Sequence, residues 1–111
     1  MTDITIQDPW VIRFRDESLP LIREKFRPIQ ILVIGSRAKG FQSDDSDLDV
    51  IIVSDLFKSI PFIKRYGMLF SLVKFPIHID YICYTSAEFD AIKTRSVIIH
   101  DALSGPVIAL G

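Results

Sequence analysis

A chain of 111 residues holds one domain with a real core and is too short for two. Its 49% hydrophobic and 24% charged residues suit a globular fold, and a net charge of −1 argues against a surface built to neutralise nucleic-acid phosphates. The lone cysteine, Cys83, excludes an internal disulfide and a cysteine-based metal site, and no apolar run approaches the roughly 18 residues of a membrane span. With no secretory signal at Met1-Thr2-Asp3, the expectation is a cytoplasmic protein without membrane contact, forming a single domain over residues 1–111.

Residues 1–8 are short and polar and are expected to fray. From Pro9 to Phe26, Trp10, Phe14, Leu21, Ile22 and Phe26 recur at helical intervals, and Pro20 interrupts them. The pattern predicts either one kinked helix or a short helix followed by a better one, closed by Arg27-Pro28. Ile29 to Ile34 is a β-branched, nearly all-apolar run that suits a strand buried on both faces, and Gly35 ends it. After the turn-prone stretch Gly40–Ser46, a second strand is expected over Asp47–Val53. Ile63, Tyr66, Phe70 and Val73 place a helix over Pro61–Phe75, and Ile77–Tyr84 reads as a third strand. A helix with a possible break, capped by Ser86, runs to about Leu103, and Val107–Leu110 supplies a last short strand. The order is α–β–α–β–α–β–α, an α/β (α+β) arrangement with central strands and helices packed on them.

Alternate side chains of a strand share a face, so Asp47 and Asp49 lie together with Cα atoms about 7 Å apart. Carboxylates at that spacing can converge on one Mg²⁺ or bracket two metals about 4 Å apart. Leu48, Val50 and Ile52 take the opposite face, assigned to the core. Asp80 interrupts the third apolar strand, where a bare charge is costly, and it completes a three-carboxylate cluster if the two strands are neighbours. Such hard-oxygen ligands select Mg²⁺ or Mn²⁺ over Zn²⁺. The alternative is that Asp44, Asp45 and Asp47 are solvated turn residues and Asp49 an edge charge, but the run continues into an apolar strand and Asp80 recurs in another. A calcium loop counted from Asp45 fails, because Val50 stands where glycine is needed and Leu56 where glutamate is needed.

Gly35-Ser36-Arg37-Ala38-Lys39-Gly40 lies between a buried strand and a short helix. Gly35 permits close backbone approach, Ser36 offers a hydroxyl, the following amides can face an anion, and Arg37 and Lys39 add positive charge. The segment suits a triphosphate seat. It is not a Walker A loop, since Phe41-Gln42 replace the required lysine and hydroxyl residue.

Gly35-Ser36, then Asp47 and Asp49, with Asp80 on a later strand, resembles the DNA polymerase β superfamily of nucleotidyltransferases, and most closely its minimal nucleotidyltransferase domains. The likeness runs from about Phe26 to Tyr84. It implies a small mixed sheet flanked by helices that binds a nucleoside triphosphate, with ATP the expected one, and two Mg²⁺ ions. Gly35 and Ser36 would hold the β and γ phosphates, with Arg37 and Lys39 either touching phosphate as well or simply solvated. Asp47 and Asp49 would ligate metal, and Asp80 would ligate one metal and help activate the attacking hydroxyl. The reaction implied is in-line attack on the α-phosphate with pyrophosphate leaving. Many minimal domains of this kind resemble antitoxins that transfer AMP to a tyrosine of a helical HEPN ribonuclease, which makes such a protein the expected partner and acceptor. The alternative is a non-catalytic module that neutralises a partner by contact.

His78 shares a strand face with Asp80 and is a lesser candidate for the metal site. His100 is expected to be structural, Tyr66, Tyr81 and Tyr84 to be core or interface, and Lys64-Arg65 to be a solvated helix face. Direct nucleic-acid binding is not expected, while self-association stays open.

Overall fold

The structure is a computed structural model that describes residues 8–40 and 46–110. Residues 1–7 of the stretch expected to fray, and the turn residues 41–45 with Asp44 and Asp45, lie outside the described residues, as does the Lys39 side chain, while Asp8, the last of that stretch, is buried and held in place.

The first helical stretch is continuous: α1 (Pro9–Arg13), a π-helical turn (Phe14–Ser18) and α2 (Leu19–Phe26). Pro20 has no N–H to donate, and a π turn sits just before it, with the Leu19 N–H reaching back to the Phe14 carbonyl. Of the two readings of this segment, the structure therefore takes the single interrupted helix. Asp8 caps its start by accepting from the Trp10 N–H at 2.9 Å, and Arg27 ends it at φ 45°.

Four strands follow: β1 (Gln30–Ile34), β2 (Leu48–Val53), β3 (Ile79–Tyr84) and β4 (Ile108–Ala109). They lie in the order β3-β2-β1-β4, with β2 and β3 parallel and the other two pairings antiparallel. The sheet is mixed. The connection from β2 to β3 runs through a 3-10 turn (Asp55–Ser59) and helix α4 (Phe62–Leu72). Helices α5 (Ser86–Arg95) and α6 (Val97–Ser104) return the chain to β4, and the four-residue α3 (Ser36–Lys39) follows β1.

The strands are apolar because both faces of the sheet are covered. On one face Leu48, Val50 and Ile52 pack with Phe14, Ile22, Phe57 and Leu69, as the strand alternation predicts. On the other, Ile51 and Val53 pack with Phe89 of α5 and with partly buried Ala102 and Leu103 of α6. Asp49 belongs by alternation to this second face, at the end that α5 and α6 leave half-open. Thr85, not Ser86, caps α5, in a capping box with Glu88. Ser86 instead donates through its N–H and hydroxyl to Asp55 Oδ1.

Arg65 overturns the solvated-face expectation. It is 3% exposed and donates to the carbonyls of Ile60, Cys83 and Phe57 at 2.9–3.1 Å. It also meets both oxygens of Glu88, at 2.5 and 3.2 Å, and lies over the rings of Phe57 and Phe62. A fork of donors suits this place because three carbonyls from the 3-10 turn, its exit and β3 converge there. Lys64, its neighbour, is exposed as expected.

Replacing Arg65 with methionine keeps the stem but orphans those carbonyls, and is expected to cost roughly 3 kcal/mol in a urea titration. The Glu88 carboxyl is held below its usual value of 4.5, first by the hydrogen bond from Arg65. A depressed carboxyl contributes stability that is present above its unfolded pKa and is lost as pH falls through the folded one. Thermal melts of Glu88→Gln should therefore show a shallower loss of stability below about pH 4.5 than the parent.

Candidate active site

The end of the sheet where β2 and β3 begin gathers the charged residues. Parallel register places Asp49 directly beside Asp80, while the antiparallel register of β1 and β2 places Ile34, and hence Gly35 after it, beside Asp49. Asp47 precedes β2 and is exposed. The Leu48 N–H donates to the His78 carbonyl at 3.0 Å, which pins the entrances of the two strands together.

One ligand atom each from Asp47, His78 and Asp80 lie within 4.8 Å of one another. His78 Nε2 stands 3.3 Å from Asp80 Oδ1, so the lesser candidate of the sequence reading is part of the cluster. Its signal in the sequence was the alternation His78/Asp80 on one strand face. Asp49 sits deeper, between this group and Gly35. Its carboxyl is raised above the usual range, first by burial and then by the negative charges of Asp80 and Asp47, with His78 partly offsetting them. A divalent cation beside Asp49 would relieve the burden that Asp80 and Asp47 place on its charge, and the oxygen-rich set with His78 suits such an ion.

Gly35 has φ +79°, in the region that favours glycine, and a Cβ placed on it would collide with Asp49 Oδ2. The glycine is required both by the turn and by the aspartate that leans over it. Ser36 opens α3 from that turn.

Arg37 is not the solvated side chain that one of its two readings expected. It is 4% exposed, and its guanidinium donates to Asp8 Oδ2 at 2.7 Å and twice to the Ser46 carbonyl, at 2.8 and 3.1 Å. The same Asp8 caps α1 through its other oxygen. Arg37 thus fastens the residue before Asp47 to the start of the first helix. Nothing in the sequence marked Asp8, because the partners lie 29 residues apart and only the fold brings them together.

Carboxylates gathered beside a glycine-opened turn, at one end of a mixed sheet, suit a hard cation next to an anion. Residues 16–103 match the nucleotidyltransferase domain family, and the chain belongs to that family. No curated protein matches the chain. Among solved structures, the chain is similar to a candidate nucleotidyltransferase from Sulfolobus solfataricus, at 25% identity over 78% of this chain and 84% of that one, with a TM-score of 0.49. It is also similar to BolA1 from Arabidopsis thaliana, at 21% identity over 74% of this chain and 98% of that one, with a TM-score of 0.53. The BolA domain of SufE1 from Arabidopsis thaliana gives 20% identity, the same coverage and a TM-score of 0.52. These last two are likenesses of fold alone.

Two outcomes are expected. Gly35→Ala should leave the sheet folded, at a cost of about 1–3 kcal/mol for the strained backbone, while displacing Asp49. Calorimetric titration of Mn²⁺ should then show at least tenfold weaker binding than the parent. Because the Asp49 carboxyl is raised above 3.8, protons compete for it at a higher pH than for an ordinary carboxylate. Mn²⁺ affinity should accordingly begin to fall at a higher pH in the parent than in Asp49→Asn.

Proposed function

We propose that the chain is a divalent-metal-dependent enzyme that transfers a nucleoside monophosphate, AMP from ATP, to a hydroxyl of a partner protein. The observation that carries this reading is the meeting of Asp47, Asp49 and Asp80 beside Gly35-Ser36, in a chain of the nucleotidyltransferase domain family. The resemblance of those residues to minimal nucleotidyltransferase domains adds the finer part: the acceptor is a tyrosine of a HEPN-type ribonuclease, and the chain acts as its antitoxin.

In this reading Asp47, Asp49 and Asp80 hold Mg²⁺, with His78 beside them. The bound ions supply charge neutralisation at the phosphates and polarise the α-phosphate. The Gly35 turn, which lets Asp49 approach the backbone, leads into Ser36, whose hydroxyl and amide would donate to phosphate oxygens. Asp80, more exposed than Asp49, would take the proton of the incoming hydroxyl. Arg37 and Asp8 tie the carbonyl of Ser46, the residue before Asp47, to the start of α1.

Incubation with ATP labelled at the α-phosphate, Mg²⁺ and a HEPN-type partner should transfer label to that partner. Asp47→Asn or Asp49→Asn should cut the transfer at least about a hundredfold, since each removes several kcal/mol of charge stabilisation. Absence of label with every nucleotide, in the presence of a partner that binds, would overturn the enzymatic reading. Neutralisation that persists in Asp47→Asn would point to the contact module instead.

A further inference from the structure

Helix α4 buries one side, through Arg65 and Leu69, and leaves the other bare. Ile63, Gly67 and Phe70 follow one another on the bare side at steps of four and three residues, and exposed Lys74 comes just past the helix end. That stepping is the seam of paired helices. Ile63 is 87% exposed and Phe70 58%, and Phe70 is held upright by stacking on Tyr66 at 6.0 Å between ring centroids. Single exposed apolar residues are ordinary, but these two share one helix face.

Gly67 stands between them. A Cβ on it would meet nothing within 4 Å, so no packing inside the molecule demands a glycine there. A glycine in a helix interior is less stable than alanine, and what it achieves here is to lower the surface between Ile63 and Phe70. Beside it a groove of about 670 Å³ runs between α2 and α4, lined by Lys25 of α2 and by Ile63, Lys64, Gly67, Met68 and Ser71 of α4.

The charge around this face has one sign. From Leu56 to Ile79 the sequence holds Lys58, Lys64, Arg65 and Lys74 and not one Asp or Glu, in a chain whose net charge is −1. Arg65 is turned inward to Glu88. Lys25, Lys64 and Lys74 enter no ion pair among the described residues. The face is therefore apolar along its middle, recessed at Gly67 and basic at its borders.

We propose that this face of α4 docks an acidic amphipathic helix of a partner protein. Apolar residues of that helix cover Ile63 and Phe70, its backbone approaches at Gly67, and its carboxylates meet Lys25, Lys64 and Lys74. A second copy of this chain, docked face to face by a two-fold axis, would set lysines against lysines. A lipid surface would meet the protruding Ile63 and Phe70 and leave the groove at Gly67 unfilled. Helix α4 covers the side of the sheet opposite Asp49, so the assignment is independent of the transferase reading.

The test titrates the full ¹⁵N-labelled chain with a three-heptad helical peptide carrying leucine at positions a and d and glutamate at e and g. A second peptide carries lysine at e and g instead. The glutamate peptide should shift the amide signals of Ile63, Gly67, Phe70 and Ser71, and bind at least about tenfold more tightly than the lysine peptide. Lys64→Glu combined with Lys74→Glu, both at exposed positions, should reverse that preference. Gly67→Gln should raise the melting temperature, because its side chain enters open space, yet weaken the glutamate peptide at least about fivefold. No shift on α4, or equal affinity for the two peptides, would defeat the proposal. Dimerisation in sedimentation velocity that Ile63→Asp abolishes would give the face to a second copy instead. Co-sedimentation with vesicles of equal parts phosphatidylcholine and phosphatidylserine, abolished by the same variant, would give it to a lipid surface.

Discussion

Parallel pairing of β2 with β3 is the constraint on which the rest of this molecule turns. It sets Asp49 against Asp80 without a residue of slip, and a shift of one strand by one position would turn its carboxylate to the face occupied by Phe14 and Leu69 and separate the two. A parallel pair cannot be closed by a tight turn, so the chain must cross over between the two strands. Helix α4 makes that crossing, and the buried Arg65 clamps it to the 3-10 turn before it and to β3 after it. The repulsion among the carboxylates is thus carried by a scaffold whose hydrophobic contacts and buried hydrogen bonds hold the register.

Where the chain's own periodicity carries the information, the architecture was legible in it. The apolar runs of β1, β2 and β3 and the three-and-four spacing of α4 each translate into an element close to the expected span, because burial on a face enforces that spacing. The approach of Asp80 to Asp49 needed one supposition, that their strands are neighbours, and the fold meets it. What the sequence could not display were the partners of charges that leave the surface. Arg65 sits beside Lys64 on the same helix, and nothing local distinguishes the two. Only the carbonyls of Phe57, Ile60 and Cys83 do so, and they come from elsewhere in the chain. Arg37 was read through its proximity to Gly35 and Ser36, and its bonds to Asp8 and Ser46 could not be seen there.

The three aspartates are not equivalent, although spacing alone made Asp47 and Asp49 look like a matched pair. Asp47 is exposed and joins His78 and Asp80 at the rim, while Asp49 is half-buried under the Gly35 turn. The difference follows from where β2 begins. Asp47 lies just outside the strand, and Asp49 is its second residue, flanked by two strands. Burial, first, raises the proton affinity of the inner carboxyl.

Asp8 divides its two oxygens between the first amide of a helix and the guanidinium that steadies Ser46. One carboxylate therefore does double duty as a keystone between the beginning of the described chain and the lip of the acidic centre. Docking of α1 and assembly of that lip become a single cooperative event, since neither can be released without leaving a buried charge stranded. Any ligand that locks the lip would correspondingly be felt as protection of amides in the first helix, far along the sequence from every residue it touches.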